Sequence, residues 1–181
     1  MAEEILDGTG EGFKMKVDAA HRAHTFSVIE SEDKYQNKLG DQWSVYLTAT
    51  PTGANDNFFY LKNTGKGTIA ITDIRVMSAV AETVYHEWVS GVPTFVNGAD
   101  INPTPKNGGS AKTPDAIIKG CDSITGINSE GIIYFQRLDT ANKMYKLSTS
   151  ANIIIPQGKS IAFKATTGGS LIEAVVSIVN I

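Results

Sequence analysis

A chain of 181 residues fits one domain whose core is large enough to hold without a metal or a disulfide. Its formal net charge of −3 carries no basic excess, which argues against a phosphate-backbone binder and leaves nucleic acid outside the expected partners. No apolar run reaches the roughly 18 residues of a bilayer span, and the single cysteine, Cys121, cannot close an internal bridge, so it is expected as a small buried hydrophobe.

The start, Met1-Ala2-Glu3-Glu4, is acidic where a secretory leader carries positive charge, and no apolar segment follows, so synthesis on the cytosolic side is expected. Among the aliphatics, 19 Ile and 12 Val stand against 7 Leu, with 17 Thr beside them. Branching at Cβ suits a pleated surface better than a helix, so composition leans to β structure.

In chain order, Asp7-Gly8-Thr9-Gly10-Glu11-Gly12 is too flexible for a core element, while Phe13, Met15 and Val17 alternate beyond it. Residues 1–24 therefore read as an extended arm with apolar teeth, ahead of a domain over 25–181; an ordinary edge strand behind a frayed terminus is the plainer alternative. Residues 42–49 alternate strictly, with Trp43, Val45, Leu47 and Ala49 on one face, and predict a half-buried strand. Residues 57–62 resume as an extended aromatic run after a turn, and the two strands are candidates to pair. In the next strand Ile69 and Ile71 share one parity and Ile74 and Val76 the other, which requires a β-bulge near Thr72-Asp73 or a change of sheet there. A strand follows over 80–89.

Residues 97–115 hold three of the six prolines and three glycines, a density that predicts a long surface loop. Strands are expected again at 132–138 and 144–147. At the C-terminus, Ile153-Ile154-Ile155 leads through the turn Pro156-Gln157-Gly158 into 160–165, and a second turn at Thr167-Gly168-Gly169 leads into the final strand, where Ile172, Ala174, Val176 and Ile178 share a face. These read as an antiparallel meander. The whole predicts an all-β fold, an antiparallel β-sandwich of jelly-roll-like kind with an extended N-terminal arm.

Catalytic spacings do not stand out: there is no nucleophile elbow or phosphate loop, and Gly8, Gly10 and Gly12 have no strand before them or helical pattern after. His21 and His24 near Asp18 would share a metal only on a helix, and the stretch reads as extended. His86-Glu87 looks like an acid–base pair, but neighbours on a strand point to opposite faces. Trp43 belongs with Val45 and Leu47 in the core, whereas Trp88 is open to a ligand or partner role. No enzyme activity, cofactor or metal is expected.

The segments Leu6-Asp7-Gly8-Thr9-Gly10, Lys16-Val17-Asp18, His24-Thr25-Phe26-Ser27-Val28, Phe58-Phe59-Tyr60-Leu61-Lys62-Asn63-Thr64, Ile69-Ala70-Ile71-Thr72-Asp73-Ile74 and Ile153-Ile154-Ile155-Pro156-Gln157-Gly158-Lys159 resemble the small virion structural proteins of tailed bacteriophages, of the head decoration or cement type. The resemblance implies a structural protein of the virion, made in the host cytoplasm, that binds the major capsid protein or other virion proteins and stabilises the shell. It implies a homo-oligomer, with a trimer as one form, and a neck or tail component is its nearest alternative. Partner contacts would fall to Ile5, Leu6, Phe13, Met15 and Val17 of the arm and to Trp88. From another class, a carbohydrate- or receptor-binding module would use Trp88, Tyr85 and the 97–115 loop.

Overall fold

The computed structural model describes residues 16–17, 23–24, 37, 39–147 and 153–181. The chain divides into two compact units, Met1–Ser31 and Glu32–Ile181. In the first, β1 (Lys16–Val17) pairs antiparallel with β2 (Ala23–His24), Lys16 opposite His24 and Val17 opposite Ala23.

In the second unit the described residues form β3 (Gln42–Ala49), β4 (Asn57–Asn63), β5 (Ile69–Ser78), β6 (Glu82–Val96), β7 (Ala99–Asp100), β8 (Thr104–Pro105), β9 (Ala116–Gly120), β10 (Ser123–Leu138), β11 (Tyr145–Leu147), β12 (Ile153–Ile155), β13 (Ser160–Ala165) and β14 (Ile172–Asn180). One sheet runs β10-β6-β13-β4-β9-β7; the other runs β11-β5-β14-β3-β8, with β12 also on β5. The two antiparallel sheets pack face to face as the expected all-β sandwich.

Connectivity departs from the sequence reading in two respects. β3 and β4 lie in different sheets and do not pair, and β12, β13 and β14 alternate between sheets instead of forming a meander. Turn residues such as Pro156 and Gly158 reverse the chain; they do not decide whether the next strand stays in the same sheet. That is decided by burial. A strand with one strongly apolar face gains as much by crossing to the opposite layer, and β14 takes the centre of its sheet between β3 and β5.

The inner faces are the alternating apolar sets. Trp43, Val45 and Leu47 face Ala174, Val176 and Ile178 on their own sheet and meet Leu61, Ile161, Phe163 and Val84 of the other, nearly all fully buried. Each of the Val, Leu, Ile and Phe side chains among them stabilises the fold by about 1.5–3 kcal/mol through burial. Bulges adjust the alternation. Ser177 pairs with Asp73 but Ile178 with Ile71, so Thr72 is the extra residue anticipated from the phase slip, and Ile69, Ile71, Ile74 and Val76 all reach the core. Phe58 is likewise skipped, since Phe163 pairs with Phe59 and Lys164 with Asn57. Phe58 and Phe59 thereby both turn onto the Phe163 ring, with centroids 6.3 and 4.6 Å away.

The 97–115 segment is more ordered than a surface loop. It straps one lateral edge of the sandwich: β8 pairs with β3, β7 pairs with β9, and β9 covers β4. Pro105 fits this ladder because it sits on an edge, and the following N–H of Lys106 donates to the carbonyl of Gln42 at 2.9 Å. The strap is pinned where Trp43 Nε1 donates to the Lys112 carbonyl at 3.0 Å and where Lys112 Nζ meets both Asp41 oxygens at 2.9 and 3.0 Å.

Beyond Val89 the long β6–β10 ribbon bends over the outer face of its own sheet, and Phe95 packs edge-on against Tyr60, centroids 5.6 Å apart, with Val89, Cys121, Ile124 and Ala162 around them. The bend passes through Gly91 (φ 103°) and Gly126 (φ 75°); a Cβ on either would collide with a backbone carbonyl of the facing strand. Gly91→Ala is therefore expected to lower stability by about 2 kcal/mol or more in urea unfolding, whereas Gly108→Ala, with open space around it, should stay within about 0.5 kcal/mol. Equal effects would contradict this account of the bend.

Candidate functional edge

The strap leaves the opposite lateral edge uncovered among the described residues. There β10 is the outermost strand of its sheet and pairs only with β6. Register shifts within β10 make Glu130 and Ile133 extra residues, between Ser129 and Gly131 and between Ile132 and Tyr134. The second shift changes the parity. Ile132, Phe135 and Arg137 come to the outer face, opposite Glu87, Tyr85 and Thr83, while Ile133, Tyr134 and Leu138 pack on the core. Ile132 is 55% exposed and Phe135 64%. Two large apolar side chains thus stand side by side on an edge strand, where natural sheets usually place charge.

Beside them lies an ion pair drawn out of water. Glu87 is 2% exposed, and its carboxylate meets the Lys164 ammonium, which also sits 5.5 Å from the centre of the Tyr85 ring. The pair gives the face next to Ile132 and Phe135 a fixed polar floor. Burial of Glu87 without Lys164 would leave an uncompensated charge.

Around the corner, Trp88 is half-buried on the inner face and packs on the core. It lines an open pocket of about 300 Å³ with Ile154, Pro156, Glu130 and Lys159, the last two in contact at 3.8 Å. Ile154 is 41% exposed. Further along, the same edge is closed by Gln136, whose Nε2 donates to the Tyr145 carbonyl at 2.7 Å.

Of the residues assigned to partner contact, Trp88 therefore lies at the open edge. Ile5, Leu6, Phe13 and Met15 fall outside the described residues, as does His21, and Val17 lies in β1. The alternative sugar-binding set is not brought together: Tyr85 is on the outer face, Trp88 on the inner face, and the 97–115 strap runs along the far edge. Ile132 and Phe135 escaped the sequence reading because strict alternation over 132–138 puts them on opposite faces. The bulge at Ile133 that brings them together leaves no mark in an uninterrupted run of apolar residues.

Titratable groups elsewhere serve the fold. Cys121 is buried, and burial with the nearby Asp122 and Asp56 carboxylates pushes its thiol up to about 12, so it stays protonated. His86 is fully buried against Phe163, ring centroids 4.4 Å apart, with no hydrogen-bond partner at either ring nitrogen. It does not face Glu87, which points to the opposite side of β6. No group of three or more His, Cys, Asp or Glu that could hold a metal occurs among the described residues.

Burial lowers the His86 pKa from 6.5 to about 4. The unfolded chain binds a proton there below about pH 6.5 and the folded chain only below about pH 4, so stability falls as pH drops through that window and levels off beneath it. The full span corresponds to about 3 kcal/mol. In urea unfolding, His86→Leu should remove about 2–3 kcal/mol of the stability difference between pH 7 and pH 4.5; an unchanged difference would show that His86 is protonated in the fold.

Comparison with protein families, curated proteins and solved structures finds no match to this chain.

Proposed function

We propose that this chain is a non-enzymatic structural protein of an assembled particle, a virion component of the head decoration or cement type that docks on the major capsid protein or a neighbouring virion protein. The observation that carries the reading is the asymmetry of the sandwich: one lateral edge is strapped, and the other offers Ile132 and Phe135 on an edge strand that has β6 as its one partner strand among the described residues. A cement protein needs a stiff body and an adhesive margin, because it stabilises its shell by binding only the assembled state.

The jelly-roll reading of the fold has support in strand order. With β3, β4, β5, β6, β10, β11 together with β12, β13 and β14 taken as first to eighth, one sheet reads first-eighth-third-sixth and the other second-seventh-fourth-fifth. Virus capsid proteins use this arrangement, and lectins use it too, so the order supports the architecture more than the role. A neck or tail component would use the same edge on a different partner. An oligomer of this chain, a trimer included, would bury the same apolar pair.

The test combines location with mutation. Purified virions should contain the protein in a copy number set by the shell lattice, and the protein added to bare expanded shells should bind to saturation. Ile132→Ser together with Phe135→Ser should leave urea stability within about 1 kcal/mol, since both are more than half exposed, but weaken shell binding more than about tenfold. Absence from virions would end the virion reading, and a double variant that binds shells like the wild type would remove the edge as the docking surface.

A further inference from the structure

We propose that Asn107 is a site of spontaneous covalent modification, at which the Asn107-Gly108 linkage passes through a cyclic imide to aspartate and isoaspartate and so loosens the strap. The site lies away from the β10 edge and is independent of its role. Two Asn-Gly dipeptides occur in the sequence, Asn97-Gly98 and Asn107-Gly108. Both sit on the connection from β6 to β9, and the fold treats them in opposite ways.

Ring closure needs an electrophilic side-chain carbonyl, a peptide nitrogen that can give up its proton, and room for the ring. Asn107 opens a turn in which its main-chain carbonyl accepts from Ser110 N at 2.9 Å and its Oδ1 accepts from Gly109 N at 3.0 Å. The second bond folds the side chain back over the Gly108 peptide. It also sets an N–H donor on the oxygen that becomes an oxyanion when Cγ is attacked. The Gly108 N–H donates to none of the described residues, so its deprotonation breaks no hydrogen bond. Gly108 is exposed, and a Cβ there would meet nothing within 4 Å, so the ring closes without displacing a neighbour and hydroxide has access. Asn97 is held instead. Its Nδ2, the leaving group, donates to Asp122 Oδ2 at 2.8 Å, and that carboxylate is fixed in turn by Thr50 N on Oδ1 at 2.9 Å. The negative charge opposes loss of a proton from the adjoining peptide. Gly98 is packed so closely that a Cβ would lie 2.5 Å from Phe95 Cβ, and ring closure there requires local opening first.

The reaction consumes one water and releases ammonia. Gly108 N gives its proton to hydroxide and bonds to Asn107 Cγ; the Cγ–Nδ2 bond then breaks, and Nδ2 leaves as ammonia with a proton from water. Water opens the imide at either carbonyl. Opening at Cγ gives aspartate, whereas opening at the main-chain carbon routes the backbone through Cβ and Cγ and gives isoaspartate. In the isoaspartate form the carbonyl that accepts from Ser110 N has left the main chain as a carboxylate. Ser110 is part of the strap's fastening: its Oγ donates to the Gly40 carbonyl at 3.3 Å and accepts from Lys112 N at 3.2 Å, beside the Lys112 bonds to Asp41 and Trp43. A longer backbone at 107 pulls this turn out of register.

The experiment is incubation of the full chain, folded and in urea, at neutral and at mildly alkaline pH, followed by peptide mass mapping. In the folded chain Asn107 should convert about tenfold or more faster than Asn97, and urea should bring the two rates within about threefold, because local opening no longer separates them. Conversion should quicken at the higher pH, and Asn107→Gln should stop it at that position. The isoaspartate form, separated by ion exchange, should exchange the amide hydrogens of Lys106 and Ser110 faster than the unmodified chain. The proposal is overturned if Asn107 keeps its amide in the folded chain while converting in urea, or if both asparagines convert equally fast in the folded chain. It is also overturned if the isoaspartate form protects the strap amides as well as the unmodified chain does.

Discussion

The constraint on which the rest of this structure depends is the two-residue period of a strand and the places where a bulge resets it. A strand offers one face to the core, and without interruption every second side chain is lost to the other side. Thr72 and Phe58 each absorb one residue, and each does so to bring more apolar surface inward. The first lets four aliphatic side chains of β5 reach the core across a phase change, and the second turns two consecutive phenylalanines onto Phe163. In β10 the same device sends Ile132 and Phe135 outward together, although Ile133 and Tyr134 between them face in. One backbone irregularity thus builds the core in two strands and a sticky margin in a third.

The two lateral edges follow from how the chain between β6 and β10 is used. Residues 97–120 cross from the β6 side to the far edge and lay short strands against β3 and β4. The strap is held by a core residue, Trp43, whose ring is buried while its N–H reaches the Lys112 carbonyl, so packing and edge closure are mechanically joined. Loss of that hydrogen bond would leave a buried indole donor unpaired as well as loosening the strap. Because the connection is spent there, nothing of it remains for β10.

Much of this was legible in the sequence where a single local rule sufficed. Strict alternation placed Trp43, Val45 and Leu47 inside, the parity change at Thr72 announced its bulge, and the β-branched excess gave the all-β sandwich. What escaped required non-local knowledge. The turn at Pro156-Gln157-Gly158 looks the same whether β13 pairs with β12 or crosses to the other sheet, and the crossing is fixed by which strands already fill each layer. The proline-rich 97–115 segment looked like a free loop because its short pairings, two residues long in β7 and β8, leave no periodic trace. Trp88 was legible as an ambiguous aromatic, yet Ile132 and Phe135 at the same edge were hidden by the unannounced bulge at Ile133.

The two outer faces complete the division of labour. On the β6–β13–β4 side, the bent ribbon carries Phe95 onto Tyr60, and the Glu87–Lys164 pair fills the space beside it, so that face is largely occupied by the chain itself. On the β5–β14–β3 side, the face opposite the core mixes the polar Gln42, Ser44, Asp73 and Arg75 with the apolar Ala70, Val175 and Val179, and Tyr46, Arg75 and Lys146 are more than half exposed. Hydrophobic burial alone would be satisfied by any small polar residues there. A carboxylate held beneath two exposed cations is a more particular arrangement, since an exposed ion pair contributes little to stability.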